Sequence, residues 1–242
     1  AKLKNKPFYV NVWPDDVHSP YFPPLSKWGD NKRQLYLGVL EEMDIQLKKL
    51  FAFIREDEQL CNNTLILLCS DNGYEPGAGQ AGPLKGCKTN LYEGGIRSPL
   101  IVWGPGIISK DAVGRRNTTS VFAAIDLVPS LLKLAGAEGP TGVTYDGEDV
   151  LDTILGKSES SRKAPIFFSR PPDRKNFYGF NELPDLAVRD GLWKFLCDYD
   201  GGRPQLYDLK TDIGESNNLA DAQPDIVKQL TEKVTNWYNT MP

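Results

Sequence analysis

The sequence is poor in the side chains that build transition-metal and redox centres, with one histidine and four cysteines in 242 residues. Cys61, Cys69, Cys87 and Cys197 form no Cys-x-x-Cys pair and no zinc spacing. A single histidine also argues against a two-zinc site, which draws on several imidazoles. The cysteine spacing leaves two readings open, a pair of disulfides or four free, mostly buried thiols. No apolar run approaches the roughly 18–20 residues that cross a bilayer, so no membrane span is expected. There is no Lys/Arg-rich block either. The net charge is −4 and the pI about 5.2, a balance that gives no electrostatic footprint for nucleic acid. Residues Ala1 to Lys6 are basic and polar, without an apolar signal region or a small-residue cleavage site. They are expected to enter the protein in mid-chain.

What is present is ordinary for a globular protein: 40% hydrophobic and 25% charged residues, enough for a sizeable core. Asn-x-Thr triplets begin at Asn62 and Asn117, a weak pointer to secretion. Phe8 to Trp13 (FYVNVW) has the aromatic and branched composition of a buried strand, stopped by Pro14. From Arg33 to Glu58 the apolar residues Leu37, Leu40, Met43, Leu47, Leu50 and Ile54 recur at helical spacing. Thr64 to Cys69 and Pro99 to Trp103 are short continuous apolar runs, the pattern of strands buried on both faces of a parallel sheet. Between them lies a Gly-rich loop from Gly73 to Gly86, long enough to suggest a functional role. Helices are expected over Val121 to Ala135, stopped by Gly136, and over Glu148 to Leu155.

Character changes near Lys157. Ser158 to Ser161 resembles a linker, and four short strands follow at Pro165–Ser169, Leu186–Arg189, Trp193–Cys197 and Gln205–Leu209. Asp190-Gly191 and Asp200-Gly201-Gly202 are turn signals between them. A final helix from about Asp225 carries Val227, Leu230, Val234, Trp237 and Met241 as its apolar stripe. The order implies an α/β layer over residues 1–160, followed by a small α+β subdomain, with an antiparallel sheet and a terminal helix, over residues 161–242.

Four places could carry chemistry. Asp71 and Asn72 follow a predicted parallel strand, where ligands of open α/β sheets bind. A carboxylate beside an amide offers the hard oxygens that calcium or magnesium prefers, though Asp-Asn-Gly is also a common turn sequence. Lys88 and Lys85 lie in PLKGCKTNLYEGGIRSP (83–99), where glycines admit close backbone approach and a lysine can meet an anionic oxygen. The alternative is a solvated lysine. His18 follows a strand end and suits proton donation near neutral pH, or is a hydrogen-bonded loop histidine. Arg170, Asp173, Arg174 and Lys175 in SRPPDRKN could clamp an anionic sugar group, or form a solvated loop.

Taken in order, SDNG (70–73), PLKGCKTNLYEGGIRSPLIVWGPG (83–106), PFYVNVWPDDVHSP (7–20), IDLVPSLLKLAGA (125–137) and the segment from AVRDGLWKFL to PQLYDLKTDIGESNNLAD resemble the type I, formylglycine-dependent sulfatases of the alkaline phosphatase superfamily. The resemblance covers nearly the whole chain and matches the C-terminal half of such an enzyme. It implies a mostly parallel sheet flanked by helices, a calcium ion, and hydrolysis of a sulfate ester on a sulfated carbohydrate. In that family a formylglycine made from a Cys/Ser-x-Pro-x-Arg motif attacks sulfur. By the resemblance Asp71 and Asn72 match two calcium ligands, Lys88 the lysine on sulfate and leaving-group oxygens, and His18 the histidine at the ester oxygen. Location in the periplasm, the lysosome or outside the cell follows from the same resemblance. This sequence contains no Cys/Ser-x-Pro-x-Arg and no N-terminal Asp-Asp pair in the matching position. It is therefore expected to lack the nucleophile, to be inactive alone, and to pair with the N-terminal half of the same protein or to associate through an exposed sheet edge. A phosphoesterase of the same superfamily, or a catalytically dead module binding sulfated glycans, are the alternatives.

Overall fold

The helical spacing over residues 33–58 folds as α1 (Lys32–Glu56). Asn31 caps it, its Oδ1 accepting from the Gln34 N–H at 3.0 Å, so one orphan donor of the first turn is satisfied. Asp57 ends α1 and caps α2 (Glu58–Asn63) through Leu60 N–H. Only Gly38 and Val39 of α1 are buried. A side chain at Gly38 would meet Pro23 Cβ at 2.8 Å. The expected apolar face is otherwise partly open, with Leu37 and Leu50 exposed.

The computed structural model describes residues 7–171 and 182–241. The chain divides into two units: residues 1–66 with 102–162, and residues 67–101 with 163–242. β1 (Ile66–Cys69) and β2 (Leu100–Trp103) pair in a two-stranded sheet, and the division falls within both strands. Both are partly exposed along their length, not covered on two faces as their apolar runs predict. The expected strand over Phe8–Trp13 does not form. Phe8, Val10 and Trp13 are 63%, 64% and 85% exposed, and no ladder reaches them among the described residues. Apolar composition supplies no partner for backbone N–H and C=O groups, and a strand exists only where a ladder satisfies them.

The first unit is organised around Asp126, which is fully buried. Its Oδ2 accepts from Ala123 N–H at 2.7 Å. Its Oδ1 accepts from Glu148 N–H at 2.7 Å and from the Arg162 guanidinium at 2.8 Å. A single 3-10 turn (Ala124–Asp126) leads into α4 (Leu127–Ala135), so the expected helix begins later than its apolar run. Gly136 ends α4 at φ +61°, a left-handed C-cap open to glycine without steric cost. The Ser130 hydroxyl donates to Asp126 O and accepts from Val150 N–H, which anchors α5 (Leu151–Ile154).

The second unit contains the expected antiparallel sheet. β3 (Ile166–Ser169), β4 (Leu186–Asp190), β5 (Trp193–Cys197) and β6 (Gln205–Asp208) form a meander in chain order, with Val188 opposite Phe195 and Phe195 opposite Leu206. α6 (Pro224–Asn239) starts with Pro224 at its first position, where the missing N–H costs nothing. Its Leu230 and Val234 cover Leu186, Val188, Phe195, Cys197 and Leu206 on one face of the sheet. Trp237 stacks on Phe167 at 5.1 Å, whereas Met241 lies beyond the helix and is exposed. The opposite face, carrying Ala187, Leu196 and Tyr207, is covered by Leu91 and Tyr92. That second cover is why residues 67–101 group with the C-terminal sheet. Each buried side chain of the Leu or Phe class contributes about 1.5–3 kcal/mol.

Candidate active site

The residues after β1 form a turn held from both sides. Ser70 N–H donates to Ser98 Oγ at 3.0 Å, and the Ser70 hydroxyl donates to Asn72 O at 2.9 Å. Gly73 N–H donates to Gly95 O at 2.8 Å. A Cβ at Gly73 would sit 1.9 Å from Gly94 O, so only glycine permits this approach. Asp71, which precedes it, is exposed and Asn72 is half-buried.

The loop bearing Lys88 wraps around the same glycines. α3 (Glu93–Ile96) is a single turn. Gly94 N–H donates to Lys85 O at 2.7 Å, and Lys88 N–H donates to Tyr74 O at 2.9 Å. Cβ atoms at Gly94 and Gly95 would meet Gly86 O at 2.4 Å and Asn90 O at 2.2 Å. Gly86 and Thr89 adopt φ of +78° and +77°. Such a conformation is uncommon for threonine and is held only where its surroundings impose it. The Asp71–Asn72 turn, the Lys88 loop and the Glu93–Ile96 turn are therefore one backbone network.

The lysines within this motif have different surroundings. Lys85 turns toward the sheet, donating to Tyr207 OH at 3.2 Å and to Glu215 O at 3.1 Å, with its ammonium 4.3 Å from the Tyr92 ring centroid. Burial lowers its pKa against the opposing pull of Glu215 and Asp212. Lys88 is half-buried. Cys87 is fully buried, and burial pushes its thiol up to about 11. It is a packing residue and not a nucleophile, since the thiolate is the reactive form.

His18 lies in the first unit and is exposed. Its Nδ1 is 2.7 Å from Ser19 O. A carbonyl only accepts, so Nδ1 carries a proton and Nε2 is left free of this bond. Arg170 is neither a solvated loop residue nor a free clamp: it is 3% exposed and donates to Asp185, Pro184 O and Leu183 O. Asp173, Arg174 and Lys175 lie outside the described residues. All four cysteines are free thiols, two of them buried and Cys69 exposed.

Sequence reasoning missed a buried ionic cluster. Lys194 Nζ lies 3.1 Å from Glu93 Oε1 and 3.8 Å from Glu215 Oε1. Arg189 and Arg97 reach Glu93 Oε2 at 3.3 and 3.6 Å. Burial pushes the Glu93 carboxyl up, but Lys194, Arg189 and Arg97 hold it below the usual range. Burial also pushes Glu215 up to about 7 against the pull of Lys194. The available signal was Lys194 within WKFLC, a charge in a strand otherwise buried on both faces.

Asp71 and Asn72 supply hard oxygens of the kind calcium takes, but as a partial set. Among the described residues no three His, Cys, Asp or Glu side chains gather as a metal cluster, whereas calcium takes about six to eight oxygens.

Solved structures share this fold. Ps i-CgsB has a TM-score of 0.77 at 24% identity, over 92% of this chain and 48% of its own. A Bacteroides thetaiotaomicron structure connected with metabolism of multiple glycosaminoglycans has a TM-score of 0.72 at 25% identity, over 91% and 48%. A phosphonate monoester hydrolase from Silicibacter pomeroyi has a TM-score of 0.59 at 23% identity, over 86% and 41%. The family model described as Sulfatase matches residues 1–137, and the one described as N-sulphoglucosamine sulphohydrolase, C-terminal, matches residues 87–240. The chain belongs to the sulfatase family. It is 28% identical to arylsulfatase A of Bos taurus, over 97% of this chain and 48% of that protein. It is 27% identical to N-acetylgalactosamine-6-O-sulfatase of Bacteroides thetaiotaomicron, over 95% and 47%. The chain thus spans about half the length of these relatives.

Proposed function

We propose that this chain is the C-terminal half of a calcium-dependent sulfate-ester hydrolase acting on a sulfated carbohydrate. The observation that carries the reading is the glycine-locked network joining the Asp71–Asn72 turn to the Lys88 loop. The sugar class rests on the relatives, one named for N-acetylgalactosamine-6-sulfate chemistry. A periplasmic, lysosomal or extracellular location accompanies the reading. Residues 1–160 then belong to the sulfatase α/β domain and 161–242 to its C-terminal subdomain. β1 and β2 belong to a mostly parallel sheet whose other strands come from the N-terminal half, which also covers Phe8–Trp13.

In this reading Asp71 and Asn72 would hold calcium together with oxygens from the other half, and that ion would supply positive charge to balance the sulfate oxygens. The Lys88 ammonium stabilises negative charge growing on sulfate and leaving-group oxygens. His18, with Nδ1–H engaged by Ser19 O, presents Nε2 to the leaving oxygen and, as imidazolium, gives its Nε2 proton to the departing alkoxide. The formylglycine nucleophile belongs to the other half.

The test uses the full-length protein and an aryl sulfate, then sulfated sugars, with and without chelator. The expected outcome is turnover that is lost with chelator and falls about 100- to 1,000-fold in Lys88→Ala. Turnover of phosphate monoesters in preference to sulfates would favour a phosphoesterase. Glycan binding without turnover would favour a non-catalytic module.

A further inference from the structure

The buried cluster around Lys194 has no role in the steps above, yet it grips the candidate site's loops at two points. Glu215 sits on the segment after β6 with φ +51° and is fully buried. Asp212 braces that segment by accepting from Ser216 N–H and Asn217 N–H, both at 2.8 Å. Glu215 Oε2 accepts from Glu93 N–H at 2.7 Å, and its backbone carbonyl accepts from Lys85 Nζ at 3.1 Å. Lys85 and Glu93 bracket Lys88 in the chain. The next amide, Gly94 N–H, holds Lys85 O, and Gly95 O holds Gly73 N–H beside Asn72. Lys194 lies between the two carboxylates.

We propose that Glu215, paired with Lys194, is a positioning residue that fixes the Asp71–Asn72 turn and the Lys88 loop in one geometry. The proposal rests on the reading of those residues as calcium and sulfate contacts. A buried ion group of this kind is a poor device for stability alone, because desolvation offsets the Coulombic gain. An apolar trio of similar volume would fill the same space. What an apolar trio could not do is accept the Glu93 amide through a side-chain oxygen, as Glu215 Oε2 does. Holding a site through a rigid supporting shell is how small displacements of reacting groups are avoided.

The experiment compares Glu215→Ala, Glu215→Gln and Lys194→Met in the full-length protein with two controls. Asp71→Ala removes a proposed ligand. Leu230→Ala loosens the opposite face of the same sheet, where Leu230 is buried under α6. Three readouts are taken at a temperature where circular dichroism shows every variant folded: calcium affinity by calorimetry, kcat against KM, and hydrogen exchange of peptides spanning 70–74 and 85–96. For Glu215→Ala and Lys194→Met we expect calcium affinity and kcat lowered at least tenfold, KM nearly unchanged, and faster exchange in both peptides. Glu215→Gln keeps an oxygen for the Glu93 amide and should show a smaller loss, so it carries the test if Glu215→Ala does not fold. Leu230→Ala should speed exchange in 224–239 and leave calcium affinity alone. If the Glu215 and Lys194 variants behave like Leu230→Ala while Asp71→Ala weakens calcium, the positioning role is wrong and the metal reading stands. If Asp71→Ala leaves calcium binding unchanged, the metal reading falls and takes this inference with it.

Discussion

The two units of this chain differ in how far they bury their own apolar surface. Residues 67–101 and 163–242 enclose a sheet covered on both faces, by α6 on one and by Leu91 and Tyr92 on the other. Residues 1–66 and 102–162 leave Phe8, Tyr9, Val10, Trp13 and Phe53 exposed, and they bury a polar centre of Asp126 with Arg162. One region carries its own core, while the other presents large apolar side chains that ordinary monomeric surfaces seldom gather. The teaching is that the motif of residues 83–99 is not merely a loop of the α/β layer. Its Leu91 and Tyr92 double as core of the C-terminal sheet, so the candidate site is supported by that sheet.

The largest effect should come from the site itself. Lys88→Ala in the full-length protein should lower kcat/KM by about 3–4 kcal/mol in transition-state terms, measured on an aryl sulfate, with Tm nearly unchanged. A loss of Tm matching the loss of rate would mean Lys88 is structural. Next, Arg162→Ala strands the buried Asp126 carboxylate and should destabilise the first unit by about 3–5 kcal/mol, read by exchange of peptides covering 121–162. If that exchange stays slow, Asp126 is not the centre of the unit. Phe195→Ala should cost about 3–5 kcal/mol through the cavity it leaves, whereas Trp13→Ser should change the Tm of the isolated chain by almost nothing. An equal loss for both would erase the contrast between the units.

The pH dependence sharpens the same contrast. Glu215 faces Lys194, Glu93 and Lys85, with Tyr92 and Tyr207 nearby, and burial raises it from 4.5 to about 7. A carboxyl raised in the folded state binds its proton more tightly there. Its contribution is full below about pH 4.5 and is lost as pH rises through about 7. Glu215→Gln should therefore gain Tm relative to wild type between pH 4.5 and 7.5. A constant difference across that range would contradict the raised carboxyl. The smallest effect concerns thiols. A mild alkylating agent should label exposed Cys69 quickly and spare Cys87 and Cys197, which burial raises to about 11 and about 12.

Local periodicity made much of the second unit legible. Alternating short runs and Asp-Gly turns located all four strands of the meander, and the Gly136 stop and the α6 stripe followed from helix rules. Phe8–Trp13 failed because a strand needs a ladder that local composition cannot reveal. Arg170 failed because SRPPDRKN looks solvated until the Asp185 carboxylate and two carbonyls are seen around its guanidinium. The Glu93–Lys194–Glu215 cluster was invisible because its members lie more than a hundred residues apart for Glu93, and a lone charge in a strand does not announce its partners.

The most direct test of the central claim is turnover of an aryl sulfate by this chain purified alone, its mass verified, beside the full-length protein in calcium. The account predicts turnover from the full-length protein and none from the chain alone, because the formylglycine and the remaining calcium ligands are assigned to the other half. Turnover by the isolated chain, lost in Lys88→Ala, would show that it contains its own nucleophile and would contradict the account.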